Sequence, residues 1–238
     1  MFKILKKIGN LLLDLIFPIE CLNCRQEGDY FCNSCFRELK FNNKEYLEKA
    51  LKNIKAPYLD KIYIAGDYED KSLKKLITKY KYNFLKPLGN VLAKFLISFW
   101  DLEIKETETL NFKISKPQKN YIVIPIPLSK KRLDWRGFNQ AEIIAREFSE
   151  HFKYELNLDL KRIKYKKPQA ELSEKERLNN LKSAFSYLSD KNNKNILDGN
   201  TIILVDDVAT TGATLNEAAR TLKEAGATEI YGLVIAKG

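Results

Sequence analysis

Asp206 and Asp207 follow four consecutive aliphatic residues, Ile202 to Val205, and precede a run of small and hydroxylated residues, Ala209, Thr210, Thr211, Gly212, Ala213 and Thr214. Small side chains leave backbone N–H groups open, and a helix beginning near Ala213 would add its positive end, so the run suits an anion. Gly212 permits a tight turn, and the hydroxyls of Thr210, Thr211 and Thr214 can donate to phosphate oxygens. The two carboxylates would repel that phosphate. They suit hydroxyl groups, or a metal ion carried with the ligand, and a phosphorylated sugar has both an anion and hydroxyls. An isolated acidic pair at a strand end is usually a solvated turn or a helix cap; the loop that follows argues against that reading here. The Gly-Lys-Ser/Thr of a P-loop and the G-x-G-x-x-G of a dinucleotide site are both missing.

The four cysteines make the second constellation. Cys21, Cys24, Cys32 and Cys35 fall in CLNCRQEGDYFCNSC, a C-x2-C-x7-C-x2-C spacing. Each C-x-x-C pair can place two thiolates on one metal, and Gly28 and Asp29 sit where a turn would bring the second pair round. Two disulfides or a redox dithiol are the competing readings. A reducing compartment disfavours the first, and a redox motif explains one C-x-x-C but not two. The expected ion is Zn2+ in a closed shell of four thiolates. Such a shell has no open position for a substrate, so its role is structural.

Composition bounds what surrounds these groups. A chain of 238 residues with 45% hydrophobic and 11% aromatic content is expected to build an ordinary core. The formal charge of +10 (41 Lys+Arg against 31 Asp+Glu) invites nucleic acid, anionic lipid or a phosphorylated small molecule, or is a lysine coat with no partner. No stretch reads as a membrane span. The segment IGNLLLDLIFP is short and interrupted by Asp14. Its basic start (Lys3, Lys6, Lys7) resembles a signal peptide, but a small-residue cleavage site is missing and the cysteines follow at once. Apolar residues at 4, 5, 8, 11, 12, 15 and 16 instead predict an amphipathic helix, with an interfacial membrane role as the alternative. A cytoplasmic location is expected.

The elements that must position these residues fall into two parts. The spacing predicts a short helix near 44–53, a strand or hairpin arm in YLDKIYIAGDY (58–68), helices over 70–80 and 86–100, and a linker at 105–120. From residue 121 the pattern becomes strand YIVIPIP, helix GFNQAEIIAREFSEHF, a basic stretch, strand TIILV, helix ATLNEAARTLKEAGA and strand EIYGLVIA. Gly226 stands where that last helix should close. Strand, helix, strand in this rhythm means a parallel sheet with crossover helices, whose ligands bind beyond the carboxyl ends of the strands.

VDDVATTGAT closely resembles the phosphoribosyl pyrophosphate motif of type I phosphoribosyltransferases. The resemblance implies that Asp206 and Asp207 hold the ribose 2′ and 3′ hydroxyls and that Ala209 to Thr214 hold the 5′ phosphate. Ala209 is smaller than the branched aliphatic common in that family, which removes no polar contact. VIPIPLSKKRLDWRGFNQAEIIA, the four-cysteine N-terminus and RIKYKKPQAELSEKERLNNLKSAF together resemble the ComF family of competence proteins, a zinc-binding module joined to a phosphoribosyltransferase domain. The fold expected is therefore α/β: a type I phosphoribosyltransferase-like parallel sheet with flanking helices over 56–238, preceded by a small four-cysteine zinc module over 1–55.

By the same resemblance, the loop Pro125 to Arg132 faces the pyrophosphate. Lys130, Lys131 and Arg132 either neutralise it, with Mg2+ bridging the phosphates, or form a solvated basic turn. Arg136 and Gln140 open the next helix, and Asn139 is an N-cap or a ligand group. Residues 161–182 carry eight Lys/Arg against three Glu and correspond to the loop that closes over the ligand; Tyr165, Gln169, Arg177 and Asn180 match the family pattern without an assigned role. The resemblance implies phosphoribosyl pyrophosphate as ligand, single-stranded DNA and competence-machinery proteins as partners, and a place in DNA uptake. Tyr121, Trp135, Phe138 and Tyr165 beside basic loops suit single-strand binding. The alternative is an active phosphoribosyltransferase acting on a nucleobase or another small acceptor. Only Lys237 and Gly238 follow YGLVIA, so a base-reading hood would come from residues 40–119, and the sole histidine, His151, is expected at the surface. No catalytic residue is assigned.

Overall fold

Three parallel strands form the centre of the protein. In the computed structural model, which describes residues 18–42, 44–52, 54–110, 120–163, 184–188 and 196–238, β2 (Tyr121–Pro125), β6 (Thr201–Ala209) and β7 (Glu229–Lys237) lie side by side and parallel. β1 (Lys61–Asp67) pairs parallel with β7 on one edge and β3 (Glu155–Leu156) with β2 on the other, giving the order β1-β7-β6-β2-β3. The stretch read as a strand or hairpin arm is thus a strand whose partner is the last strand of the chain.

Both faces of the sheet are covered, which is why its strands are nearly continuous in Val, Ile and Leu. Val123, Ile203, Val205, Tyr231, Leu233 and Ile235 face one core, and Ile122, Ile124, Ile202, Leu204, Ile230 and Val234 face the other. The first core is closed by α3 (Lys71–Tyr82), α4 (Leu88–Leu110) and α6 (Gln140–Phe152). In α4 the buried residues Leu88, Leu92, Phe95, Leu96 and Phe99 recur at helical spacing. That helix runs on to Leu110, so the first residues of the predicted linker, from 105, are helical. The second core is closed by α7 (Ala213–Glu224) and by α2 (Lys44–Leu51). Gly226, at φ 105°, follows the end of α7 as expected.

The cysteine segment joins the first core. Cys21, Phe31, Cys32, Cys35 and Leu39 are buried in the same cluster as α3 and α4, with α1 (Asn33–Arg37) carrying Cys35. Asn42 then follows the edge strand, its backbone N–H donating to Ala65 O and its side chain to Ile64 O. A separate antiparallel ribbon, β4 (Leu160–Arg162) with β5 (Phe185–Tyr187), brackets the basic stretch. Ile163 N donates to Ala184 O at 2.9 Å, so the two ends of that stretch are held together. The predicted N-terminal helix and the positions Tyr165, Gln169, Arg177 and Asn180 lie outside the described residues. Among the described residues no helix is long and apolar enough to cross a membrane.

Candidate phosphoribosyl site and metal centre

β2 sends its connection through α6 to β3 on one side, while β6 sends its own through α7 to β7 on the other. Between their carboxyl ends lies the crevice that such a reversal of strand order opens in a parallel sheet. Both stretches singled out in the sequence end there. Ile126 N donates to Val205 O at 2.9 Å, fixing the β2 exit against β6.

β6 does not stop at Val205. It runs through both aspartates to Ala209, held by β7 in the register Asp206↔Val234, Val208↔Ala236 and Ala209↔Lys237. Successive side chains on a strand take opposite faces, so the two carboxylates part company. Asp207 is buried on the α3 side, where its Oδ1 accepts from Lys81 Nζ at 2.9 Å and from Val208 N at 2.7 Å. Asp206 is half-buried, and its Oδ1 accepts from Asp207 N at 2.8 Å. Withdrawal from water, and then the neighbouring Asp207 charge, push the Asp206 carboxyl up to about 7 from its ordinary 3.8; the bond from Asp207 N, Lys81 and Arg162 of β4 oppose the rise.

The loop after the strand turns at Gly212 into the start of α7. Thr210 and Thr211 are exposed, Gly212 is buried at φ 76°, and α7 begins at Ala213. Gly212 is required twice over. Its φ lies in the left-handed region, and a Cβ there would sit 2.5 Å from Ile54 Cγ2. Ile54 and Ala56 therefore back the loop from the segment that leaves α2, and Tyr58 N donates to Asn216 Oδ1 in the first turns of α7. Thr211 Oγ1 accepts from Ala213 N at 3.4 Å, while Thr214 is half-buried. Ala209 is buried and belongs to the strand; its carbonyl accepts from Gly238 N.

Across the crevice, the predicted basic loop is partly helical. Lys130, Lys131 and Arg132 form the first turn of α5 (Lys130–Arg136), all exposed, with Ser129 Oγ accepting from Arg132 N as the cap. Arg136 ends that helix instead of opening the next, and its Nη1 donates to Gln140 Oε1 at 2.9 Å. Asn139 occupies the N-cap position of α6 but spends its amide on Ile126 O, tying the helix to the exit of β2. His151 is exposed at the far end of α6, and its ring meets Phe152.

The sequence did not single out Lys81 or Tyr80, and Arg162 was only one cation in a basic run. Lys81 is one of five lysines in KSLKKLITKYKY, and nothing local separates it from the solvated ones. Tyr80 lies fully buried beside it, donating to the Gln140 carbonyl at 3.0 Å; burial, then the Asp207 charge, push its phenol upward. Helical period was the only available signal, since it buries Leu73, Leu76, Ile77 and Tyr80 and sets Lys81 at the edge of that face.

The four cysteines converge as their spacing predicts: their Sγ atoms all lie within 4.8 Å of one another. A tetrahedral zinc shell needs sulfurs about 3.8 Å apart. The first pair sits on a turn in which Arg25 N donates to Cys21 O and Arg25 takes φ 65°; Cys32 precedes α1, which places Cys35 three residues on. Cys32 N donates to Cys21 Sγ at 3.4 Å, and Asn23 Nδ2 to Cys35 Sγ at 3.5 Å. Burial opposes ionisation of Cys21, yet bonds from the N–H groups of Cys24, Cys32 and Asn23 bring it down to about 6. At Cys35, against the Asn23 bond, burial and the neighbouring thiols push the thiol up to about 12. The cluster is tied to α3 by Ser72 Oγ donating to Asn23 Oδ1 and by Lys75 Nζ donating to Leu22 O.

Residues 112–237 match the phosphoribosyl transferase domain family. Over 213 residues the chain is 32% identical to Competence protein F of Haemophilus influenzae, covering 88% of this chain and 86% of that protein. Over 154 residues it is 42% identical to Competence protein ComFC of Bacillus subtilis, covering 62% of this chain and 57% of that protein. DNA utilization protein YhgH of Shigella flexneri is 27% identical over 177 residues, covering 74% of this chain and 71% of that one.

Proposed function

The chain belongs to the ComF family and carries its phosphoribosyl transferase domain, and from that premise we propose that it binds phosphoribosyl pyrophosphate in the crevice between β2 and β6 and serves DNA uptake. The observation that carries the reading is the placement of Asp206, Asp207 and the 209–214 loop together at the carboxyl end of one strand. Asp206 and Asp207 receive the ribose hydroxyls. The amides and hydroxyls from Ala209 to Thr214 receive the 5′ phosphate at the start of α7. Lys130, Lys131 and Arg132, exposed on the connection that leaves β2, would neutralise the pyrophosphate. Mg2+ carried with the ligand would neutralise its phosphates.

Residues 1–55 supply the metal module, with Zn2+ on Cys21, Cys24, Cys32 and Cys35, and residues 56–238 the phosphoribosyl unit. The names of the relatives, competence and DNA utilization, support DNA as the macromolecular partner; that it is single-stranded, and that competence proteins are contacted, rests on the family resemblance and on aromatics beside basic loops. Four thiols that hold metal under reducing conditions are compatible with cytoplasmic residence. Titrating phosphoribosyl pyrophosphate with Mg2+ into wild type and into Asp206→Asn/Asp207→Asn tests the site: binding by wild type alone is expected, and equal affinity would sink the assignment. A second reading, an active phosphoribosyltransferase, is favoured by the three exposed cations Lys130, Lys131 and Arg132 on the connection that leaves β2. Release of pyrophosphate with any of a panel of nucleobases would establish it.

A further inference from the structure

Where α3 ends, three aromatic rings stand in solvent together. Tyr82 is 54% exposed, Phe84 38% and Trp135 of α5 57%. The Tyr82 and Phe84 ring centroids lie 6.3 and 5.3 Å from that of Trp135. They are three of the eight large exposed hydrophobics among the described residues, and their ring contacts make them one patch and not scatter. Phe84 is held at φ 56°, the position just past the end of α3 where glycine is usual, and a bulky residue there is strained. The Arg136 guanidinium sits 5.8 Å from both the Tyr82 and the Trp135 ring centroids, and its Nε is buried with no hydrogen-bond partner among the described residues.

Apolar partners do not suit a patch with a guanidinium at its centre. Nucleobases do, because they stack on ring faces and on guanidinium planes, and their phosphates pair with surrounding cations. α3 carries no acidic residue, Lys79 and Lys81 flank its last turn, and Lys86 follows Phe84 with its Nζ 5.2 Å from the Phe138 ring centroid. Asp134 is the one acid on α5, against Lys130, Lys131, Arg132 and Arg136. We propose that Tyr82, Phe84, Trp135 and Arg136 form a base-stacking platform for single-stranded nucleic acid, a site separate from the phosphoribosyl crevice and joined to it through Lys81, which pairs with Asp207. The inference rests on the single-strand reading above.

The test uses the full-length, zinc-loaded protein and a fluorescein-labelled oligothymidylate at low salt. Trp135→Ala and Phe84→Gly should each weaken binding about ten-fold. The glycine relieves backbone strain, so its melting temperature should not fall. Trp100 is buried and Trp135 exposed, so quenching of tryptophan emission by unlabelled oligonucleotide reports the platform directly. Wild type that binds no oligonucleotide overturns the single-strand reading and this one with it. Wild type that binds, with variants equal to it and emission unchanged, overturns the platform alone and leaves the patch to a protein partner.

Discussion

Asp206 and Asp207 are neighbours in sequence with different surroundings. Asp207 has a lysine within 2.9 Å, whereas Asp206 is withdrawn from water beside a like charge and pushed up to about 7. A carboxyl raised in the folded state favours folding while protonated; that contribution is complete below its unfolded value near 4 and is lost as pH rises through 7. Asp206→Asn should therefore raise the melting temperature at pH 8 and leave it unchanged near pH 4. A thermal series across that range checks the sign. Ribose hydroxyls need the ionised acceptor, so affinity for phosphoribosyl pyrophosphate should increase from pH 6 to pH 8 in wild type, as calorimetry would show. Lys81→Met strips a largely buried carboxylate of its partner and should cost about 3 kcal/mol of stability. Lys81→Met/Asp207→Asn should recover most of that in denaturant titrations, a result that a purely surface lysine would not give.

At the level of elements, two segments outside the matched domain support the crevice. Ile54 packs beneath Gly212, and the cysteine cluster is bonded to α3, whose last turn carries Lys81. Gly212→Ala should cost about 1–2 kcal/mol from its left-handed φ, with a further loss from the Ile54 contact. Gly212→Ala/Ile54→Ala should regain only the contact part, which chemical denaturation can separate. Cys35→Ser should abolish stoichiometric zinc and lower the melting temperature, because α1 and its buried neighbours share one cluster with α3 and α4. Elemental analysis of wild type reads the claim first; zinc near zero in intact protein would overturn it.

For the whole molecule, part of the charge of +10 acquires a location. Lys79 and Lys81 stand in the last turn of α3, Lys86 just past it, and Lys130, Lys131, Arg132 and Arg136 on α5, whereas Lys74 pairs with Glu69 and Lys75 with the cysteine segment. A polyanion bound there should lose affinity steeply and linearly in log[salt], whereas an uncharged control surface would show no slope. Anisotropy with single-stranded oligonucleotide between 50 and 200 mM salt, about the range over which phosphate-contacting proteins weaken by orders of magnitude, measures it.

Local patterns carried much of this protein. The short unbroken apolar runs YIVIP and TIILV, the thiol spacing, and the small residues after the acidic pair each follow from short-range rules of sheet burial, ligand geometry and turn sterics. They sufficed for a parallel sheet, a four-cysteine cluster and a glycine turn at the start of a helix. Contacts between distant segments were decided only by the fold. Lys81 meets Asp207 because α3 packs on the face that odd-numbered residues of β6 present. Ile54 meets Gly212, and Tyr82 and Phe84 meet Trp135, for the same kind of reason. No periodicity encodes which surface lysine finds a buried carboxylate; that depends on how helices seat on the sheet, and burial then sets the charge state of Asp206.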